Sequence, residues 1–248
     1  MRRTGRIAVF FLGVAVLFTG TTVRAQTSPN MAHPVYYVQT RERAVALTFD
    51  VSWGDKMLPK VLAVLGSEKQ PATFFLSGPW AKTHPQSVAA IRAAGGEIGS
   101  HGQAHVDLGD KLPSTIAENI RAADSILRSY TGSPLHFFRP PNGDWSPRLI
   151  EVAHTFGYET VIWSIDSRDW MNPGVTVIEQ RVSNGVFPGA IILLHASDTC
   201  TQTDLALPAI IKDVRKQGYR LVTLGDLWQM GPAGRDDPRG SGHKPNLN

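Results

Sequence analysis

The chain has 248 residues, a formal net charge of +4 and one cysteine. A single thiol excludes an internal disulfide framework, and no Lys/Arg run interleaved with aromatics argues for nucleic acid as a partner. The charge is local: Arg2, Arg3, Arg6 and Arg24 all precede residue 26, and without them the bases only match the 21 acidic residues.

Residues 1–25 combine those arginines with the apolar run IAVFFLGVAVLF and a small-x-small site at Val23-Arg24-Ala25. This pattern predicts a secretory signal peptide, with an uncleaved anchor as the alternative, and an exported body in either case. Residues 26–44 read as a lead-in. Residues 45–230 are long enough for one domain with a full core, and 231–248, rich in Gly, Pro and charge, read as a disordered tail.

Seven short apolar or β-branched runs predict strands at 45–49, 72–76, 97–100, 137–139, 160–164, 190–194 and 220–223. Helical stripes fall between them. Leu58, Val61, Leu62 and Leu65 share one face, as do Ile116, Ile120, Ala123 and Leu127, with Thr115 and Glu118 spaced as a capping box. Leu207, Ile210, Ile211 and Val214 form a third stripe that Gly218 ends. Alternation of strand and helix predicts an α/β fold, a parallel sheet with outer helices closed or nearly closed as a TIM-like barrel. An open doubly wound sheet is the alternative.

In such folds functional groups gather at the carboxyl ends of the strands. Asp50 ends the first strand, His101 the third and Arg139 the fourth; Asp166 and Asp169 follow the fifth, and His195 the sixth. His101 and His105, four apart, would face one way on a helical turn and so could hold one divalent cation. His195 follows a hydrophobic strand, which suits a general acid, and Asp166 and Asp169 are placed to orient it. No phosphate loop is present, no obligate protein partner is readable, and the lone Cys200 reads as a bystander.

In this order the segments TFDVSWG, SHGQAH, RPPNG, DSRDW and LLH resemble the five motifs of the NodB-homology polysaccharide deacetylases, across residues 45 to 228. ATFFLSGPWAKTHP and ILLHASD resemble the branch found in spore-forming bacteria. The resemblance implies a distorted (β/α)7 barrel that hydrolyses N-acetyl groups of a cell-wall or chitin-like glycan, peptidoglycan first. It implies Asp50 as catalytic base, Arg139 as the residue positioning it, His195 as catalytic acid and Asp169 as its partner. His101 and His105 become metal ligands, with zinc the first choice and cobalt, nickel or manganese behind it. Trp170 and Leu193 would line the acetyl pocket, with Trp53 and Asp166 also at the substrate. The family's second aspartate, a metal ligand directly after the base, is Val51 here. Asp55 swinging in, a water, or weak metal binding are the three ways to fill that place, and a lapsed deacetylase that only binds glycan is the rival reading.

Overall fold

The computed structural model describes residues 32–240, so the expected signal peptide lies outside the described residues. In chain order the elements are β1 (Tyr37–Val38), β2 (Ala44–Val51), α1 (Met57–Ser67), β3 (Thr73–Leu76), α2 (Gly78–Thr83), α3 (Pro85–Ala93) and β4 (Glu97–Ser100). Then come α4 (Pro113–Thr131), β5 (Phe137–Phe138), α5 (Pro147–Thr155), β6 (Glu159–Thr160), β7 (Ile165–Asp166) and α6 (Val175–Gly185). The last are β8 (Ile191–His195), α7 (Thr203–Lys216), β9 (Arg220–Val222), α8 (Leu224–Trp228) and β10 (Ala233–Gly234).

Eight strands form one parallel sheet in the order β6-β5-β4-β3-β2-β8-β7, with β9 beside the start of β2. β6 and β7 are the two ends of this path, yet they belong to one run of chain, residues 159–166. That run bonds β5 at one end and β8 at the other and so brings the curled sheet round into a distorted barrel. The single strand expected at 160–164 is therefore two. It breaks because Val35 takes over the pairing between them: its amide donates to Thr160 O at 2.8 Å and its carbonyl accepts from Ile162 N at 2.8 Å.

All eight residues of β2 are buried, as a strand covered on both faces requires. Its neighbours are β3 and β8, each in register with Asp50: Phe75 on one side and His195 on the other. The helical stripes pack outside as expected. Met57, Leu58, Val61 and Leu65 bury the inner face of α1, and α7 ends just before Gly218, which has φ +83°.

Two expectations need correction. The capping box does not form, because α4 begins at Pro113, in a first turn where a missing N–H costs nothing, and Thr115 and Glu118 lie inside it. The expected tail starts too early as well. β10 pairs antiparallel with β1, the Tyr37 hydroxyl donates to Asp236 at 2.6 Å, and Arg235 bonds Glu159 at 2.9 Å. From residue 32 on, the lead-in belongs to the same structure, since Val35, Tyr36, Tyr37 and Val38 are core residues. Residues 241–248 lie outside the described residues.

Candidate active site

The carboxyl ends of β2, β4 and β8 open into a cavity of about 460 Å³. Asp50, His101, His105, His195, Leu193, Trp53, Asp166 and Trp170 all line it, while Arg139 and Asp169 lie outside the lining and reach it through Asp50 and His195.

Asp50 is almost wholly buried, which is costly for a carboxylate unless it is paired. Arg139, fully buried, supplies the pair: Nη1 donates to Asp50 Oδ1 at 2.8 Å and Nη2 to Ile162 O at 2.9 Å. The guanidinium lies 4.1 Å over the Phe75 ring and 5.6 Å from that of Trp163, so aromatic contacts add to the hydrogen bonds that hold it. Burial opposes ionisation of Asp50, but the Arg139 guanidinium, with the two histidines adding to it, holds the carboxyl below its ordinary range. Asp50 is thus an anion with one oxygen, Oδ2, turned toward His101 at 3.6 Å from Nε2.

His195 is the complementary case. Its ring Nδ1 bonds Asp169 Oδ1 at 2.7 Å, and its own amide donates to Asp169 Oδ2 at 2.7 Å. Burial alone would lower its pKa, but the charge and hydrogen bond of Asp169, with Asp50 adding, raise it above the ordinary imidazole value. Asp169 is held in turn by the Thr203 hydroxyl at 2.7 Å from Oδ2. Thr203 was not singled out in the sequence; nothing in its surroundings there marks it, because the contact joins the start of α7 to a loop 34 residues earlier.

The histidine pair forms, though not on a helix. Residues 101–105 are irregular, yet the rings meet at 5.3 Å between centroids and 72° between planes. His101 Nδ1 donates to Arg139 O at 2.8 Å, which leaves Nε2 with a lone pair. Burial, with His105 and Arg139 adding, lowers the His101 pKa to about 4, and burial lowers that of His105 too. Two neutral imidazoles side by side offer the kind of donor a divalent cation takes. Asp50 Oδ2 is the carboxylate oxygen beside His101, and neither position expected to add a second one does so. Val51 is fully buried in the apolar core, and Asp55 is exposed, outside the cavity lining, with its amide bonded to Asp198.

Among the described residues a different cluster, Asp169, His195 and Cys200, places three ligand atoms within 4.8 Å of one another. It is poorly suited to a metal. Burial and Asp169 push the Cys200 thiol up to about 12, so it keeps its proton, and both Asp169 oxygens already accept hydrogen bonds.

The sequence profile of a family described as polysaccharide deacetylase matches residues 37–161. A peptidoglycan-N-acetylglucosamine deacetylase of Bacillus cereus is 33% identical over 208 residues, 83% of this chain and 97% of its own length. An uncharacterized Bacillus subtilis protein, YlxY, is 31% identical over 194 residues, 78% of this chain, and the match spans only 60% of that longer protein. Among solved structures, a CE4 family pseudoenzyme from Bacillus anthracis superposes with a TM-score of 0.74 at 30% identity, covering 78% of this chain and 68% of that one. A mutant of such a pseudoenzyme, described as having restored enzymatic activity, matches equally well, with a TM-score of 0.74.

Proposed function

The chain belongs to the polysaccharide deacetylase family, and we propose that it hydrolyses N-acetyl groups from the amino sugars of a cell-wall glycan, peptidoglycan before a chitin-like polymer. The observation that carries this reading is the pair of opposed proton-transfer groups on one cavity, Asp50 held ionised by Arg139 and His195 held protonated by Asp169. Amide hydrolysis needs both. Asp50 takes a proton from the attacking water as its oxygen bonds to the acetyl carbon, and His195 gives a proton to the sugar nitrogen as the C–N bond breaks. The products are acetate and a free amine. Trp53, Trp170 and Leu193 at the cavity supply the apolar surface against which a sugar face and an acetyl methyl pack.

A divalent ion, zinc or else cobalt, nickel or manganese, would be held by His101 and His105. When bound, it would acidify water and polarise the amide carbonyl. Export is part of the proposal and rests on residues 1–25; among the described residues no helix is long and apolar enough to cross a membrane. Acetate release from N-acetylated glycans tests the function. Asp50→Asn and His195→Ala are each expected to lower turnover by roughly two orders of magnitude or more with the fold intact. Near-normal turnover in a folded Asp50→Asn protein would remove Asp50 from the role of base.

A second reading, glycan binding without hydrolysis, is favoured by one specific observation: Val51 stands where the family's carboxylate ligand is expected, and a solved relative is described as a pseudoenzyme. It predicts tight glycan binding with no acetate released at any added metal.

A further inference from the structure

A second cavity, of about 410 Å³, adjoins the catalytic one, and Asp166 lines both. Three arginines line it, Arg168, Arg181 and Arg239, and Asp166 is the one acid in its wall. That acid is already engaged. Its Oδ1 accepts the Arg168 amide at 2.8 Å, and its carbonyl accepts Arg181 Nε at 2.8 Å. Arg239 is held in a two-pronged pair with Asp237 and lies 5.4 Å from the ring of Trp163, which lines the catalytic cavity on its other side. Among the described residues no group pairs with the Arg168 guanidinium, and the terminal nitrogens of Arg181 are equally free.

Arg239 is neutralised by Asp237, so the guanidinium of Arg168 and the terminal nitrogens of Arg181 are the donors left to take an anion in this cavity. Their forked donors match the two oxygens of a carboxylate. The cavity is large enough for a substituent and its place is one residue from the catalytic wall. We propose that it is a subsite for an acidic substituent of the glycan, a carboxylate such as that of a lactyl ether, carried beside the N-acetyl group that enters the catalytic cavity. The assignment rests on the deacetylase reading for its neighbour.

Calorimetric titration with two probes tests it: an oligosaccharide bearing lactyl carboxylates and a neutral N-acetylglucosamine oligomer of the same length. Arg168→Gln, alone and with Arg239→Gln, is expected to weaken the acidic probe roughly tenfold or more, since each lost ionic hydrogen bond is worth about that factor. The neutral probe should bind unchanged, which also certifies the fold, and added salt should weaken only the acidic one. Free lactate competing as well as the acidic glycan would show a general anion site and overturn the glycan assignment. Equal affinity of wild type and the single Arg168→Gln variant for the acidic probe would overturn the subsite. Acetate release followed in parallel separates the two readings. Arginine-dependent binding without acetate sinks the enzyme and spares the subsite, whereas release from both probes with no arginine dependence does the reverse.

Discussion

Asp169 has no free oxygen: Oδ1 accepts the His195 ring and Oδ2 the His195 amide and the Thr203 hydroxyl. One residue therefore fixes both the position and the charge of the proposed acid. Because the His195 pKa is raised, the proton needed by the leaving amine persists to higher pH than an ordinary histidine would hold it. Asp169→Asn removes the charge while keeping the size, so the pKa of His195 should fall. The alkaline limb of the kcat profile should then move to lower pH, since the lost charge no longer favours the imidazolium. The same raised pKa stabilises the fold fully below the ordinary value of 6.5, and that contribution fades as pH rises through the raised one. A pH–rate profile with NMR titration of His195 checks both, and an unmoved alkaline limb would show that Asp169 only positions the ring. Asp50, Arg139 and His195 were legible because each closes an apolar run, and Asp169 because the segment DSRDW resembles a family motif. Thr203 and the Ile162 carbonyl were not, because they act through contacts that no sequence spacing records.

The loop between β2 and α1 shows what an element hides from its own sequence. Ser52 and Trp53 donate their amides to Ser197 Oγ at 3.0 and 3.4 Å, and the Asp198 carboxylate accepts the amides of Lys56 and Met57 at 2.9 and 2.8 Å. Asp198 thus satisfies the start of α1, whose own N-cap position, Lys56, offers no side-chain bond. Gly54, with φ +77°, is required here, because a Cβ would meet Asp198 Cγ at 2.1 Å. This anchoring turns Asp55 outward, which local spacing could not foretell, and so leaves Val51 as the position where the family resemblance would put a ligand carboxylate. Val51→Asp should bury an unpaired charge in the metal-free protein and lower its thermal midpoint, then recover with zinc more than wild type does. Its zinc dissociation constant should fall by about tenfold or more, because an anionic ligand adds directly to the attraction for a dication. Equal dissociation constants in the two proteins would mean that this end of β2 does not face the metal.

At the scale of the whole molecule, the sequence shows a parallel barrel but not how its interrupted wall is supported. Strands of four to eight residues, as in β2, β3, β4 and β8, leave an apolar trace, whereas β1 and β10 pair over two residues each and leave none. Their order comes from what they lie on. Gly234 passes so close to Tyr37 that a Cβ would come within 2.4 Å of its ring, so the glycines that suggested disorder are what allow the approach. Together these terminal segments strap the run between β6 and β7: Val35 bonds Thr160 and Ile162, and Arg235 bonds Glu159 and His33 O. Ile162 is also the residue whose carbonyl holds Arg139, so the strap reaches the partner of Asp50 through a single residue. Ending the chain after Met230 removes one strand, a half-buried ion pair and the cover over Tyr36 and Tyr37. A loss of roughly 2 kcal/mol or more follows, a drop in thermal midpoint of about 4–8 °C for a domain of this size. A chain ended after Gly240 is the reference, because it keeps every contact of the strap. If the shorter chain melts with the longer one, the strap contributes nothing to stability. If it is less stable but turns over at the same rate, Arg139 does not depend on Ile162 being held from outside.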